Sequence, residues 1–71
     1  MSNQIILKKF GRNVRAKRIE QGLSQERLGE LSKLHRTYIG MIERGEKNIT
    51  LTNVAKITKA IKAKTSDLLD F

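Results

Sequence analysis

The residues able to do chemistry in this chain are few, and they point away from catalysis. His35 is the only histidine, and no cysteine occurs in the 71 residues. A metal site needs several nitrogen, sulfur or oxygen ligands converging, and His35 has no companion at such a spacing. No serine, histidine and acid stand at the spacing of a nucleophilic triad, and no glycine-rich loop could cradle a phosphate. Neither an enzyme nor a bound metal or cofactor is therefore expected. What remains is hydrogen-bond donation by cations. Fifteen Lys and Arg against seven Asp and Glu leave a formal charge of +8. That excess suits a polyanion, either nucleic acid or an anionic membrane surface.

The elements that must carry these cations fit in one domain, 1–71. So short a chain buries only about 60% of the surface its unfolded form exposes. Without cysteine no disulfide can staple it, so helix packing and association with a second copy are the remaining routes to stability. The start, Met1-Ser2-Asn3-Gln4, lacks the basic segment of a signal peptide. The apolar run Ile5-Ile6-Leu7 is far too short to span a membrane, and the expected location is the cytoplasm.

No proline is present, so glycines and a few Ser, Thr and Asn residues supply the punctuation. Leu7, Phe10, Val14 and Ile19 recur near the helical period, with Lys8, Lys9, Arg12 and Arg15 mostly opposite. That pattern predicts a first helix over about residues 5–21, stopped by a left-handed Gly22. Ser24 caps a second helix over 25–32, with Leu28 and Leu31 turned inward. The turn Lys33-Leu34-His35 leads to a third helix over about 36–44, with Ile39, Met41 and Ile42 toward the core and Gly45 at its end. Beyond a polar loop holding Lys47 and Asn48, Thr50 or Thr52 caps a fourth helix bearing Val54, Ile57 and Ile61. Thr65 or Ser66 caps a short last helix with Leu68 and Leu69. No stretch alternates like a strand. The fold class is all-α, a compact five-helix bundle, with one core built from Phe10, Val14, Leu28, Ile39, Ile42, Val54, Ile57 and Ile61.

Helices two and three, joined by a three-residue turn, span about residues 25–44. Leu28, Leu34, Ile39 and Ile42 stand where such a pair must bury apolar side chains, and Gly29 stands where the two helices approach most closely. The string Gly22-Leu23-Ser24-Gln25-Glu26, then Leu28-Gly29, Tyr38-Ile39 and Ile42-Glu43-Arg44-Gly45 resembles the helix-turn-helix of the phage Cro and cI repressors and the large bacterial family related to them. The resemblance covers about residues 8–69. More narrowly, Leu34-His35-Arg36-Thr37-Tyr38-Ile39 with Ile42-Glu43-Arg44 and Asn48-Ile49-Thr50 resembles the controller proteins of restriction–modification systems. One position departs. The turn residue most often glycine in the family is Lys33, and a left-handed lysine carries about 1 kcal/mol of strain.

The resemblance implies a role for each polar residue. A recognition helix enters the major groove with its N-terminal residues against base edges. Arg36, Thr37 and Tyr38 lead that helix. Arg36 can donate two hydrogen bonds to guanine O6 and N7, and Thr37 and Tyr38 can touch a thymine methyl or a phosphate. Tyr38 has a second reading as a partly buried spacer. Gln25 begins the second helix, where the resembling repressors hold a phosphate on a helix N-terminus. Arg44, Lys47 and Asn48 follow the recognition helix, where the family grips phosphates that set position without specifying bases. Arg18 and Glu43 match a charged pair that ties the first helix to the end of the third.

The implied function is a sequence-specific DNA-binding transcription regulator acting on a pseudo-palindromic operator. The narrower resemblance implies control of a restriction endonuclease gene and of the regulator's own gene. A phage or plasmid repressor or an antitoxin of the same fold is the alternative within the class. From another class, the basic first helix could bind a membrane or a protein, although its apolar stripe is short and is needed for the core. RNA polymerase is a further expected partner. No small-molecule effector is expected, because no ligand-binding domain follows the helix-turn-helix. Ile49, Leu51, Leu69 and Phe71 are left over once the core is built, and such an apolar surplus marks a partner surface. The expectation is a homodimer that sets two recognition helices about one DNA turn apart.

Overall fold

The computed structural model describes residues 3–70, with side chains from residue 4 onward. The helices are α1 (Asn3–Glu20), α2 (Gln25–Ser32), α3 (Arg36–Glu43), α4 (Leu51–Ala60) and α5 (Thr65–Leu68). No strand occurs among the described residues. Phe71 lies outside them, so its place in the expected partner surface is not described.

All eight residues expected in the core are buried, and Leu68 of α5 completes it. Each such side chain contributes about 1.5–3 kcal/mol when fully withdrawn from water. Two expected inward residues are not inside. Ile19 is 51% exposed. Five residues past Val14, it has rotated about 140° away from the buried stripe. Leu31 is 41% exposed and lines a cleft between α2 and α4, because its side of α2 meets lysine stems rather than the core. Leu69, one residue beyond α5, is also largely exposed, and Met41 is half-buried.

Polar groups fix the helix ends. The Ser24 hydroxyl accepts from the Arg27 amide at 2.9 Å and starts α2. Thr50, rather than Thr52, starts α4 by accepting from the Asn53 amide at 3.1 Å. The last helix begins one residue earlier than expected. Thr65 is already helical, and the Lys64 amide donates to the Asp67 carboxylate at 3.1 Å, so neither Thr65 nor Ser66 is the cap.

Four helices end in one way. An amide two or three residues past the helix donates back to a carbonyl five positions earlier: Leu23 to Arg18 at 3.0 Å, Leu34 to Gly29 at 2.9 Å, Glu46 to Met41 at 2.9 Å and Ala63 to Thr58 at 3.0 Å. This Schellman closure places the intervening residue in the left-handed region. Those residues are Gly22 (φ 71°), Lys33 (φ 61°), Gly45 (φ 72°) and Lys62 (φ 51°). Glycine takes this conformation without strain, whereas each lysine carries about 1 kcal/mol.

Close backbone approaches set the angles between elements. A Cβ added to Gly11 of α1 would collide with the Ile42 carbonyl and stand 2.7 Å from that of Glu43. A Cβ on Gly29 would meet the Leu34 carbonyl at 2.5 Å and the Arg36 amide at 3.2 Å. Glycine at both positions lets α1 lie against the end of α3, and α2 against its start. The Asn13 amide donates to the Leu68 carbonyl at 2.9 Å, and Gln21 donates to the Ile61 carbonyl. Both tie α1 to the C-terminal helices.

Candidate nucleic-acid interface

The first turn of α3 is built by the residue before it. His35 has extended backbone (φ −66°, ψ 142°), and its ring Nδ1 accepts from the Thr37 amide at 3.0 Å. The sole histidine therefore caps the helix, using a ring nitrogen where serine or aspartate would offer oxygen. Behind this cap Arg36 and Thr37 stand exposed. Tyr38 diverges from them. It is half-buried against the core, and its hydroxyl accepts from the side-chain Nδ2 of Asn53 in α4 at 3.0 Å.

Arg36, Gly40 and Arg44 succeed one another at four-residue spacing, which puts them on one side of α3 and its end. A Cβ on Gly40 would lie 3.1 Å from Arg44 Nη1 and 3.5 Å from Gln25 Oε1, so Gln25 flanks the same side. The amide of Gln25 is turned inward, donating to Glu43 Oε1 at 3.0 Å. Glu43 also accepts from Arg18, with Nε to Oε2 at 2.6 Å and Nη2 to Oε1 at 3.1 Å. The remaining Arg18 nitrogen, Nη1, donates to the Leu23 carbonyl at 2.8 Å. One carboxylate thus joins α1, the start of α2 and the end of α3. With both its oxygens accepting and all three guanidinium nitrogens donating, the charge is tolerated inside the domain.

Both exposed arginines on this side of α3 are held by acids. Arg36 Nη1 lies 3.3 Å from Glu26 Oε2. Arg44 grips Glu46 through Nε at 2.8 Å and Nη2 at 3.2 Å. The hydrogen bonds from Arg44, and then its charge, hold the Glu46 carboxyl below the ordinary glutamate range. The same hydrogen bonds, with the Glu46 charge, raise the Arg44 guanidinium. Lys47 and Asn48 are exposed just beyond.

Of the expected partner surface, Ile49 is half-buried and packs on its own domain's core, whereas Leu51 is 86% exposed and Leu69 47%. The local sequence gave no signal for the His35 cap or the Tyr38–Asn53 bond. The Tyr38–Asn53 bond depends on a partner that only the fold brings near. The His35 cap is local but uses a ring nitrogen where Ser, Thr, Asp or Asn is the usual marker. Glu26 and Glu46 were likewise passed over, since an acid beside a basic site has no periodic signature. Among the described residues no group of three or more His, Asp or Glu could hold a metal ion. No described helix is long and apolar enough to cross a membrane.

A family model for helix-turn-helix proteins matches residues 14–68. Control protein C.BamHI of Bacillus amyloliquefaciens is 49% identical over 72 residues, taking in 100% of this chain and 88% of that protein. Control protein C.SmaI of Serratia marcescens is 49% identical over 57 residues, 80% of this chain and 68% of that protein. The crystal structure of the restriction–modification controller protein C.AhdI from Aeromonas hydrophila matches with a TM-score of 0.85 at 44% identity, covering 87% of this chain and 94% of that one. The chain belongs to the helix-turn-helix family of DNA-binding transcription regulators, which is not an enzyme family. Within that family it is similar to the controller proteins of restriction–modification systems.

Proposed function

We propose that this protein is the controller of a restriction–modification system, acting in the cytoplasm as a homodimer on the operator that governs its own gene and the endonuclease gene. The observation that carries the reading is the exposed Arg36–Thr37 pair on the capped first turn of α3, flanked by Gln25 and Arg44 on the same side. A helix presented in this way enters the major groove N-terminus first. Arg36 reads guanine and Thr37 a neighbouring base edge or methyl group. Tyr38, already engaged with Asn53, contributes its ring edge or hydroxyl at the margin of the contact. Gln25, Arg44, Lys47 and Asn48 take the backbone phosphates, which set register and give binding its salt dependence. The dimer forms through Leu51, Leu69 and the exposed part of Ile49, whose solvent-facing apolar surface supports the assignment.

The test is nuclease footprinting on the DNA upstream of the gene, with mobility shifts over a protein concentration series. The expected result is paired protected half-sites related by two-fold symmetry, about one helical turn apart. Absence of protection at concentrations where the protein is dimeric would overturn the proposal. A methyltransferase gene and an endonuclease gene beside it would support the restriction–modification role specifically.

A further inference from the structure

The two left-handed lysines lie in one place. Lys33 closes α2, Lys62 closes α4, and both line the cleft between those helices. Lys56 and Lys59 of α4 line it too, with Leu31 and Ala60 as its apolar surface. None of these four lysines pairs with a carboxylate among the described residues, whereas Lys17, Arg18, Arg27, Arg36 and Arg44 each do. The cleft lies between the C-terminal end of α2 and α4, and Lys56, Lys59 and Lys62 stand outside the residues assigned to the DNA interface proposed above. Lys33 borders the turn into α3 and also lines a shallow pocket with Glu26, His35 and Arg36.

Strain retained at a defined place calls for a reason. The left-handed residue of a Schellman closure is most often glycine, and the closures of α1 and α3 use it. The closures of α2 and α4 use lysine instead, and both open onto the same cleft. A cation at a helix C-terminus is favoured by the helix dipole, which accounts for one charge at each end. It also covers Lys59, in the last turn of α4, but does not account for Lys56, nor for an exposed leucine set among four like charges.

We infer that the α2–α4 cleft docks an acidic peptide segment of a partner protein. Its carboxylates pair with Lys33, Lys56, Lys59 and Lys62, and an apolar side chain between them covers Leu31. Charge and surface select this occupant over the others. A second copy of the chain docked through a two-fold contact would lay the four lysines against their own equivalents. A DNA backbone would engage the lysines but leave Leu31 and Ala60 uncovered.

Fluorescence anisotropy with a short labelled peptide of glutamates around a central Leu-Phe pair tests this, beside mobility shifts on operator DNA. The paired change Lys56→Ser and Lys59→Ser should weaken peptide binding roughly tenfold, as loss of two exposed charge pairs implies, and leave operator affinity unchanged. Lys33→Gly with Lys62→Gly should raise the melting temperature and still weaken the peptide, a combination that unfolding cannot produce. Leu31→Ser should weaken the Leu-Phe peptide and leave an all-glutamate peptide unaffected. Peptide affinity that ignores the Lys56 and Lys59 changes would overturn the inference. So would a parallel fall in operator affinity, which would make the lysines part of the DNA interface.

Discussion

Gln25 Nε2 stands 3.0 Å from Glu43 Oε1, the oxygen that also accepts from Arg18 Nη2 at 3.1 Å. The Glu43 side chain is 2% exposed and that of Arg18 11%, so solvent cannot replace either partner. Arg18→Ala should therefore lower the unfolding free energy by about 3–5 kcal/mol, measured by urea denaturation. Replacing both together, Arg18→Met with Glu43→Leu, should recover most of that loss, because no charge is then stranded. A loss below about 1 kcal/mol in the single variant would mean that the pair behaves as an exposed one.

Arg36→Ala should weaken operator binding by about 1–3 kcal/mol and relax preference at one base pair in each half-site. Titrations against the operator and its single-base variants measure both effects. Discrimination left intact at every position would remove Arg36 from base reading and place it with the phosphate contacts.

Glu46 keeps both forks of Arg44 occupied in the free protein. Glu46→Gln should release them, strengthening binding to DNA of any sequence and steepening the dependence of log affinity on log salt by about one. The carboxyl itself gives a second readout. Its pKa is lowered in the folded state, so the stability from its pairing is present above the unfolded pKa and disappears as pH falls through the folded value. The pair is open to solvent and its effect on stability is small, so the measurement is the carboxyl titration followed by NMR. Arg44→Gln should return Glu46 to the ordinary glutamate range.

Among the described residues Leu51 is the most exposed of the large apolar side chains. Leu51→Glu should shift sedimentation toward the monomer and make operator occupancy demand more protein, without lowering the melting temperature of the monomeric domain. If the variant sediments like wild type over a concentration series, the partner surface lies elsewhere.

The core was legible because Phe10, Val14, Leu28 and the α4 isoleucines repeat at the helical period, and burial follows that period. Ile19 and Leu31 misled because apolar character alone does not give angle. One had rotated off its stripe, and the other faced lysines that are distant in sequence. Gly22 and Gly45 announced their turns through residue type, and Lys33 did so through the family string. Lys62 had no such marker. At the candidate interface, Arg36 and Thr37 could be placed at the exposed start of α3 because the family string puts them at the head of that helix. The inward amide of Gln25 and the bond from Asn53 to Tyr38 join residues 15 or more positions apart, which no local pattern encodes.

The missing side chain at Gly11 bears on how binding adapts. With backbone pressed directly on backbone at Ile42 and Glu43, α3 cannot tilt unless α1 tilts with it, and the Arg18–Glu43 pair locks the same junction. On the proposed mode of binding, α3 enters the groove as a rigid tooth. Imperfect operators must then be accommodated by the duplex, through groove width and local bending, whose energy depends on the base steps being deformed. Base pairs that no side chain touches would thus contribute to selectivity, and half-sites that differ in stiffness would be filled in a fixed order.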